Sequence, residues 1–525
     1  MLSDKELPAE GLAGLKRHFK QDALSGFLVF LLALPLSLGI AKASGFPAAM
    51  GVLTAMIGGL IGCFFKVSAL TIKGPAAGLI TVCAASVLAF GGGKMGWEAT
   101  AGIIVVMSVL QLIIARMGWG SMSDFFPFAA VHGMLAAIGF IIMAKQIPVL
   151  LGVAPELHEG KGPIPLIVDI PEFISLADPQ QALVGLLALI LMFAMPALPL
   201  RWTKRVPAPM WVLMVTVPLG LVSGFDENRI GYDLVQIGNF WSEIQWRANF
   251  SAIGSLIFWK FVMMFLFVNS LESLLTVKAM DDLDPWKRST EAKDDLTALS
   301  AGNFVSGWLG GLPMISEVVR SGANVKYGAR TKWANVFHGF FLLIAMAFSI
   351  PFIELIPNTS LAAMLIYAGY QLASPTEFRS IYRIGKEQLL IFLVTILVTL
   401  LEDLLLGVAA GMFFNLLIHL YHGARVRTLF KAHYQLDQTE ETTYLQVHEA
   451  AVFTLIPAYR KLFRKCRPGD IWVMDFSNAR LVDHSFLAFV FRISEREGDG
   501  QLVIRGLDKL QSLSDHPEAT RKQAK

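Results

Sequence analysis

The stretch Ala69-Leu-Thr-Ile-Lys-Gly-Pro-Ala-Ala-Gly-Leu-Ile80 decides how the rest of the chain is read. A short β-favouring piece, Leu70–Ile72, runs into Gly74-Pro75 and then into residues rich in Ala and Gly. Proline suits the first turn of a helix, where its missing N–H would be unpaired anyway. The sequence therefore predicts a helix that starts at Gly74–Pro75, in the middle of an apolar run. Unpaired backbone at membrane depth is tolerated only where protein or a hydrated cavity satisfies it. Gly310-Gly-Leu-Pro-Met-Ile-Ser-Glu-Val-Val-Arg-Ser-Gly-Ala-Asn324 repeats the pattern: an extended piece, Leu312–Ile315, leads into a short helix near Ser316. That helix is too short to cross a bilayer alone.

The composition places both stretches in lipid. Of 525 residues, 54% are hydrophobic and 16% are charged, where a soluble domain carries about a quarter charged. This argues against a soluble enzyme, a disordered chain or a nucleic-acid binder. The formal net charge of +3 calls for no polyanionic partner. Three cysteines, Cys63, Cys83 and Cys466, form no C-x-x-C pair, and the first two read as small buried thiols in apolar runs. The polar N-terminal segment is followed by an apolar run with no cleavage-site pattern, so that run is expected to be a retained span.

Apolar runs of about twenty residues suit a bilayer. They fall at roughly 23–41, 46–65, 74–90, 99–116, 128–145, 183–199 and 208–224. A second set falls at roughly 255–276, 294–309, 316–326, 333–351, 358–373, 387–402 and 404–421. The expectation is fourteen segments, seven on each side of the polar stretch around Phe225–Asn249. An odd number per half makes the second half enter from the opposite side, the arithmetic of an inverted repeat. The expected domains are a cytoplasmic segment 1–22, a transmembrane domain 23–425 (repeats 23–225 and 250–425) and a polar C-terminal domain 434–525. The last alternates strand-like runs at 444–448, 471–475 and 502–504 with helix-like runs at 457–466 and 485–496, a small α/β domain. Loop cations set the orientation: Arg201, Lys204, Arg205, Lys278, Lys287, Arg288, Lys326, Arg330, Lys332, Arg379, Arg383 and Lys386 share the side of both termini. The other loops carry Glu156, Glu159, Asp169, Glu172 and Asp178. Both ends are expected in the cytoplasm.

Two half-helices at matching places of inverted repeats would aim their N-termini at each other, each with roughly half a positive charge and free N–H groups. The expected anion contacts are Lys73, Gly74, Ala76, Ala77 and Gly78 from the first stretch, and Glu317, Val318, Val319, Arg320 and Ser321 from the second. Lys73 could equally snorkel to water, and Arg320 could tie to Glu317 or a helix end. Glu272, in Asn269-Ser-Leu-Glu-Ser-Leu-Leu-Thr276, is a carboxylate at mid-span that needs a partner or a proton. Thr276 lies four residues on, on the same helix face. The pair could hold Na⁺, the carboxyl alone could carry H⁺, or Glu272 could bridge to Arg320 with no ion coupling. His132 and His338 read as packed histidines, Gly91-Gly-Gly93 as a loop, and Glu402-Asp403 as an interfacial turn. No transition-metal site, cofactor or hydrolytic constellation is read.

These residues resemble the SulP family of anion transporters. The resemblance is carried by Ala33-Leu-Pro35-Leu, Lys73-Gly-Pro-Ala-Ala-Gly78, Lys145-Gln-Ile-Pro148, Ser270-Leu-Glu-Ser-Leu-Leu-Thr276, Gly302-Asn-Phe-Val-Ser-Gly307, Gly310-Gly-Leu-Pro313 and Gly328-Ala-Arg-Thr331. It implies a seven-plus-seven inverted repeat with core (spans 1–4 and 8–11) and gate (5–7 and 12–14) parts. It also implies an anion between the half-helices, a homodimer and a C-terminal STAS domain with a possible cytoplasmic partner. Val473-Met-Asp-Phe-Ser477 and Leu481-Val-Asp-His-Ser485 are similar to the strand and following helix of that domain. The family's bicarbonate branch has a carboxylate followed four residues later by Thr that serves Na⁺, a spacing Glu272 and Thr276 match. Glu317 and Val319 depart from the small or hydroxyl residues usual at their places, and Asp483-His-Ser-Phe486 departs from the usual Asp-Ser-Ser-Gly stretch. The expectation is a secondary transporter of a small inorganic anion, bicarbonate ahead of sulfate or a dicarboxylate, coupled to Na⁺ or H⁺. An uncoupled anion channel and a membrane-tethered sensor are the rival readings.

Overall fold

The structure is a computed structural model; it describes residues 7–118, 126–158, 160–199, 206–225, 234–439, 442–463, 471–494 and 501–523. Glu159, Arg201, Lys204, Arg205 and Cys466 lie outside the described residues. The chain forms two compact units, Met1–Gly120 with Gly139–Gln371, and Ser121–Ile138 with Leu372–Lys525.

The first unit begins with α1 (Gly11–Ala43), α2 (Ala48–Leu60), strand β1 (Lys73–Pro75), α3 (Ile80–Ala89), α4 (Gly93–Arg116) and α5 (Phe128–Leu150), the unit boundary falling within α5. Two short helices, α6 (Pro163–Val168) and α7 (Ile170–Ser175), precede α8 (Pro179–Ala197), α9 (Ala208–Val222) and the single turn α10 (Phe240–Glu243). The second series is α11 (Leu256–Leu283), α12 (Ala292–Trp308), β2 (Met314–Ser316), α13 (Val318–Lys326), α14 (Trp333–Phe348), α15 (Ile350–Ile353) and α16 (Asn358–Leu372).

Among the described residues of the whole chain, six helices are long and apolar enough to cross a membrane. Their outer faces carry large apolar side chains, as Leu183, Leu186 and Ile190 do on α8. Stripes of this kind at helical spacing suit lipid as the solvent. Cys63 ends a 3₁₀ turn beyond α2 and is exposed, unlike the buried Cys83. The expected burial fails at Cys63 because the helix stops before it.

At the centre of the first unit, β1 and β2 pair antiparallel, with Lys73 opposite Ser316, Gly74 opposite Ile315 and Pro75 opposite Met314. Ala76 N–H donates to the Pro313 carbonyl at 3.4 Å and Glu317 N–H to that of Ile72 at 2.9 Å. From β1 the chain enters a 3₁₀ turn, Ala77–Leu79, and then α3; from β2 it passes Glu317 into α13. The helix expected from Gly74–Pro75 thus starts later. Gly74 and Pro75 are spent on pairing with a strand from the other half, and a proline at the end of a strand costs the ladder no interior donor.

The second unit contains α17 (Pro375–Ile384), α18 (Lys386–Leu401), α19 (Leu404–Tyr421) and α20 (Val426–Phe430). A mixed sheet follows: β3 (His433–Gln438), β4 (Thr442–Ala451), β5 (Ile471–Val482), β6 (Gln501–Arg505), β7 (Gln511–Ser512) and β8 (Arg521–Lys522), with α21 (Ile456–Phe463) and α22 (His484–Ser494). β4 and β6 run parallel to β5 on either side of it, while β3 and β8 pair antiparallel with β4 and β5. Val447, Phe453, Phe476, Leu481, Phe486 and Val490 form its core, against which Met412 and Leu416 of α19 pack. Asp403 caps α19, accepting Leu406 N–H at 2.9 Å.

Candidate functional site

The crossing of β1 and β2 exposes backbone groups that no helix can satisfy, and side chains from the surrounding helices take them up. Thr54 of α2 accepts Leu312 N–H at 2.8 Å, and Ser306 of α12 donates to the Leu312 carbonyl at 2.7 Å. Asn303 accepts Met314 N–H at 2.7 Å and Asn269 of α11 donates to the Met314 carbonyl at 2.8 Å. Ser273 accepts Ser316 N–H, Asn335 accepts Lys73 N–H and Ser321 accepts Ile72 N–H. Asn324 donates to the Leu70 carbonyl, while Gln111 of α4 binds Asn269. All are buried. Irregular backbone at membrane depth is stable on these terms alone.

The same accounting narrows the expected amide set. Ala76 and Glu317 donate across the crossing, Arg320 N–H donates to its helix cap, Glu317 Oε2, at 2.8 Å, and Ser321 N–H bonds the Glu317 carbonyl. Gly74 lies within β1. The first amides of the two half-helices, those of Ala77 and Gly78 and of Val318 and Val319, are the ones left without an intrahelical partner.

Lys73 and Arg320 are both fully buried but differently engaged. Lys73 Nζ reaches both Asp295 carboxylate oxygens at 2.8 Å and Ser316 Oγ at 2.8 Å. Its charge is committed to α12 and is not free to meet an anion. Asp295 was not singled out by sequence; its position near the start of α12 reads as an ordinary acidic first turn. Arg320 Nε, Nη1 and Nη2 are buried and make no hydrogen bond. The guanidinium lies against the bare Cα of Gly74, where a Cβ would come within 2.4 Å of Nη1.

Glu272 approaches the same segment one turn further on. A Cβ on Gly78 would lie 1.8 Å from Glu272 Oε1. Both Glu272 carboxylate oxygens and Thr276 Oγ1 are buried without a hydrogen-bond partner. No ion pair joins Glu272 to Arg320 among the described residues. A planar fork of N–H donors beside free amides suits an oxyanion, and a carboxylate beside a hydroxyl suits a hard cation or a proton.

The histidines fall elsewhere. His132 pairs with Glu377 in the second unit, and His338 is buried on α14 with neither ring nitrogen bonded. Donor atoms of His484, His516 and Glu518, also in the second unit, lie within 4.8 Å of one another, an arrangement able to hold a metal ion. Two of its nitrogens are already engaged, since His484 Nδ1 bonds the Glu518 carbonyl and His516 Nδ1 accepts Glu518 N–H.

Two short helices that start from a paired strand crossing, with a buried guanidinium and carboxylate beside it, among helices long and apolar enough to span a membrane, have the build of a multi-pass membrane transport protein. The chain belongs to the sulfate permease family, whose model matches residues 19–395. It is a transporter and not an enzyme. It is 24% identical over 415 residues to the bicarbonate transporter BicA of Picosynechococcus, covering 76% of this chain and 69% of that one. It is 22% identical over 419 residues to the chloroplastic sulfate transporter 4.1 of Arabidopsis thaliana, covering 78% and 59%. Its fold matches the transmembrane domain of a cyanobacterial BicA with a TM-score of 0.67 at 21% identity, over 75% of this chain and 98% of that one. The overall structure of SLC26A9 matches with a TM-score of 0.65 at 15% identity, over 94% of this chain and 85% of that one.

Proposed function

We propose that the chain is a secondary transporter that moves a small inorganic oxyanion, bicarbonate ahead of sulfate, together with Na⁺ or H⁺. The observation that carries this is the pair of buried, unpartnered groups, Arg320 and Glu272, set against Gly74 and Gly78 of one segment. With Lys73 neutralised by Asp295, the charges left are Arg320, Glu272, Glu317 and two half-helix ends worth roughly +0.5 each. Ionised, the two glutamates cancel the positive side. A cation or proton on Glu272 restores about one positive charge, which matches a monovalent anion. Coupling also offsets the ~2.3 kcal/mol that a −100 mV interior sets against an entering negative charge.

In this reading fourteen segments form two inverted seven-segment repeats, residues 23–225 and 250–425, in an inner membrane with both termini cytoplasmic. Residues 434–525 are a cytoplasmic STAS-like domain, and the chain works as a homodimer. The amides of Ala77, Gly78, Val318 and Val319 hold the anion with Arg320, while Glu272 and Thr276 hold the cation. The test is uptake of labelled bicarbonate and sulfate into proteoliposomes, with and without a Na⁺ or H⁺ gradient. Bicarbonate uptake driven by one gradient is expected; no anion uptake above empty vesicles overturns the proposal. Glu272→Gln is expected to abolish cation dependence while anion exchange stays measurable.

A further inference from the structure

A cavity of about 440 Å³ lies within the first unit, walled by α1, α3, α5, α8 and α16. Water occupies about 30 Å³ in the liquid, so the cavity is large enough to admit a hydrated small anion. Its described lining includes Lys42, Lys145, His158 and Lys161 and contains no Asp or Glu. Two of these lysines have local structural work. Lys161 is ion-paired with Asp169 at 2.6 Å, and Lys42 stands in the last turn of α1, where a cation suits the helix end. Lys145 has neither duty. It projects from an apolar stretch of α5, is only partly exposed, and makes no hydrogen bond or ion pair among the described residues. A lysine in such a place is costly unless it serves a ligand or a water-filled path.

The cavity is tied to the candidate site by one helix. Ala84 and Val87 of α3 line it, and the 3₁₀ turn that leads into α3 carries Gly78, which meets Glu272. Gly39, Lys42, Ala43 and Gly45 place it at the end of α1 remote from its N-terminus. With the N-terminus inside, that end faces outward.

We propose that this cavity is a second anion site, an outward-facing station in which Lys145 holds a small inorganic anion before it passes to Arg320. The proposal rests on the transporter reading and its orientation. The experiment measures anion uptake from each side of oriented proteoliposomes carrying wild type, Lys145→Met or Lys145→Arg, with bicarbonate and sulfate as probes. Lys145→Met is expected to raise the KM at the outer side about tenfold or more, the loss of one charge-assisted hydrogen bond. The inner-side KM and the maximal rate stay within twofold, and Lys145→Arg restores the outer KM. An unchanged outer KM in Lys145→Met overturns the station while leaving the transporter standing. In a chain with Cys63, Cys83 and Cys466 replaced by Ala, alkylation of Val149→Cys, one turn from Lys145 in the cavity wall, with N-ethylmaleimide reads the cavity without flux. Slowing of that reaction by bicarbonate or sulfate, lost when Lys145→Met is added, supports an anion held there by Lys145. Full reactivity at saturating anion overturns it. Absence of all uptake by wild type would instead strike the transporter reading, and the alkylation result would still decide the cavity.

Discussion

Lys73 and Arg320 sit on the two half-helix segments, both shielded from solvent, and their partners divide their roles. Lys73 is held by Asp295 and Ser316, so it ties β1 to α12 and β2. Removing one partner of such a pair leaves a bare buried charge and costs about 3–5 kcal/mol, whereas replacing both by apolar groups costs far less. Lys73→Met is therefore expected to lower the thermal unfolding midpoint in detergent sharply, and Lys73→Met with Asp295→Leu to recover much of it. The double variant keeps measurable anion exchange, while Arg320→Gln loses it. A Lys73→Met protein as stable as wild type would show that the pair does not hold the crossing together. The sequence marks Lys73 through its Gly-Pro neighbours but not Asp295, whose contact spans 222 residues. Glu272 stands out in the sequence because a carboxylate at mid-span has no bland lipid-facing explanation, and the structure buries its oxygens and Thr276 Oγ1 without a hydrogen-bond partner.

At the scale of elements, the crossing depends on glycines at which neighbouring groups approach closely. A Cβ on Gly58 of α2 would lie 2.6 Å from the Lys73 carbonyl oxygen, and one on Gly78 would lie 1.8 Å from the Glu272 carboxylate. Backbone in a paired strand cannot yield, whereas the end of a glutamate side chain can. Gly58→Ala is expected to destabilise the fold by about 1–3 kcal/mol, the usual cost of overpacking, read as a lower unfolding midpoint. Gly78→Ala is expected to fold with a nearly unchanged midpoint and to lose cation-driven uptake, because the carboxylate is pushed off its position. Equal unfolding midpoints for the two variants would refute this division. The interrupted helices were readable from Gly-Pro and from the shortness of the second stretch. The place where each helix begins was not, because β1 and β2 are strands only by virtue of each other, and local propensity does not report a non-local partner.

Over the whole molecule, the change from apolar to polar composition near residue 434 is visible in the sequence, and the strands and helices of the α/β layer follow its alternation closely. Packing groups the chain differently, placing Ser121–Ile138 with Leu372–Lys525: Phe128 N–H bonds Ser485 and His132 pairs with Glu377, while Met412 and Leu416 of α19 pack against the core of the sheet. Asp483 sits at the start of α22 in that core, fully shielded, accepting Phe453 N–H at 2.8 Å and Phe486 N–H at 2.7 Å, with His419 Nε2 at 3.5 Å. Burial pushes its carboxyl up to about 7, against the opposite pull of the two amide donors. The folded state thus binds a proton that the unfolded chain releases near the ordinary aspartate value of about 4. By linkage, stability is present in full below that value and falls as pH rises from about 4 to about 7, levelling off above it. Protection of the Phe453 and Phe486 amides against hydrogen exchange, corrected for the intrinsic rate, should decrease over that window and become flat in Asp483→Asn. Protection that instead increases with pH would mean that the amide donors and His419 outweigh burial and hold Asp483 ionised in the fold.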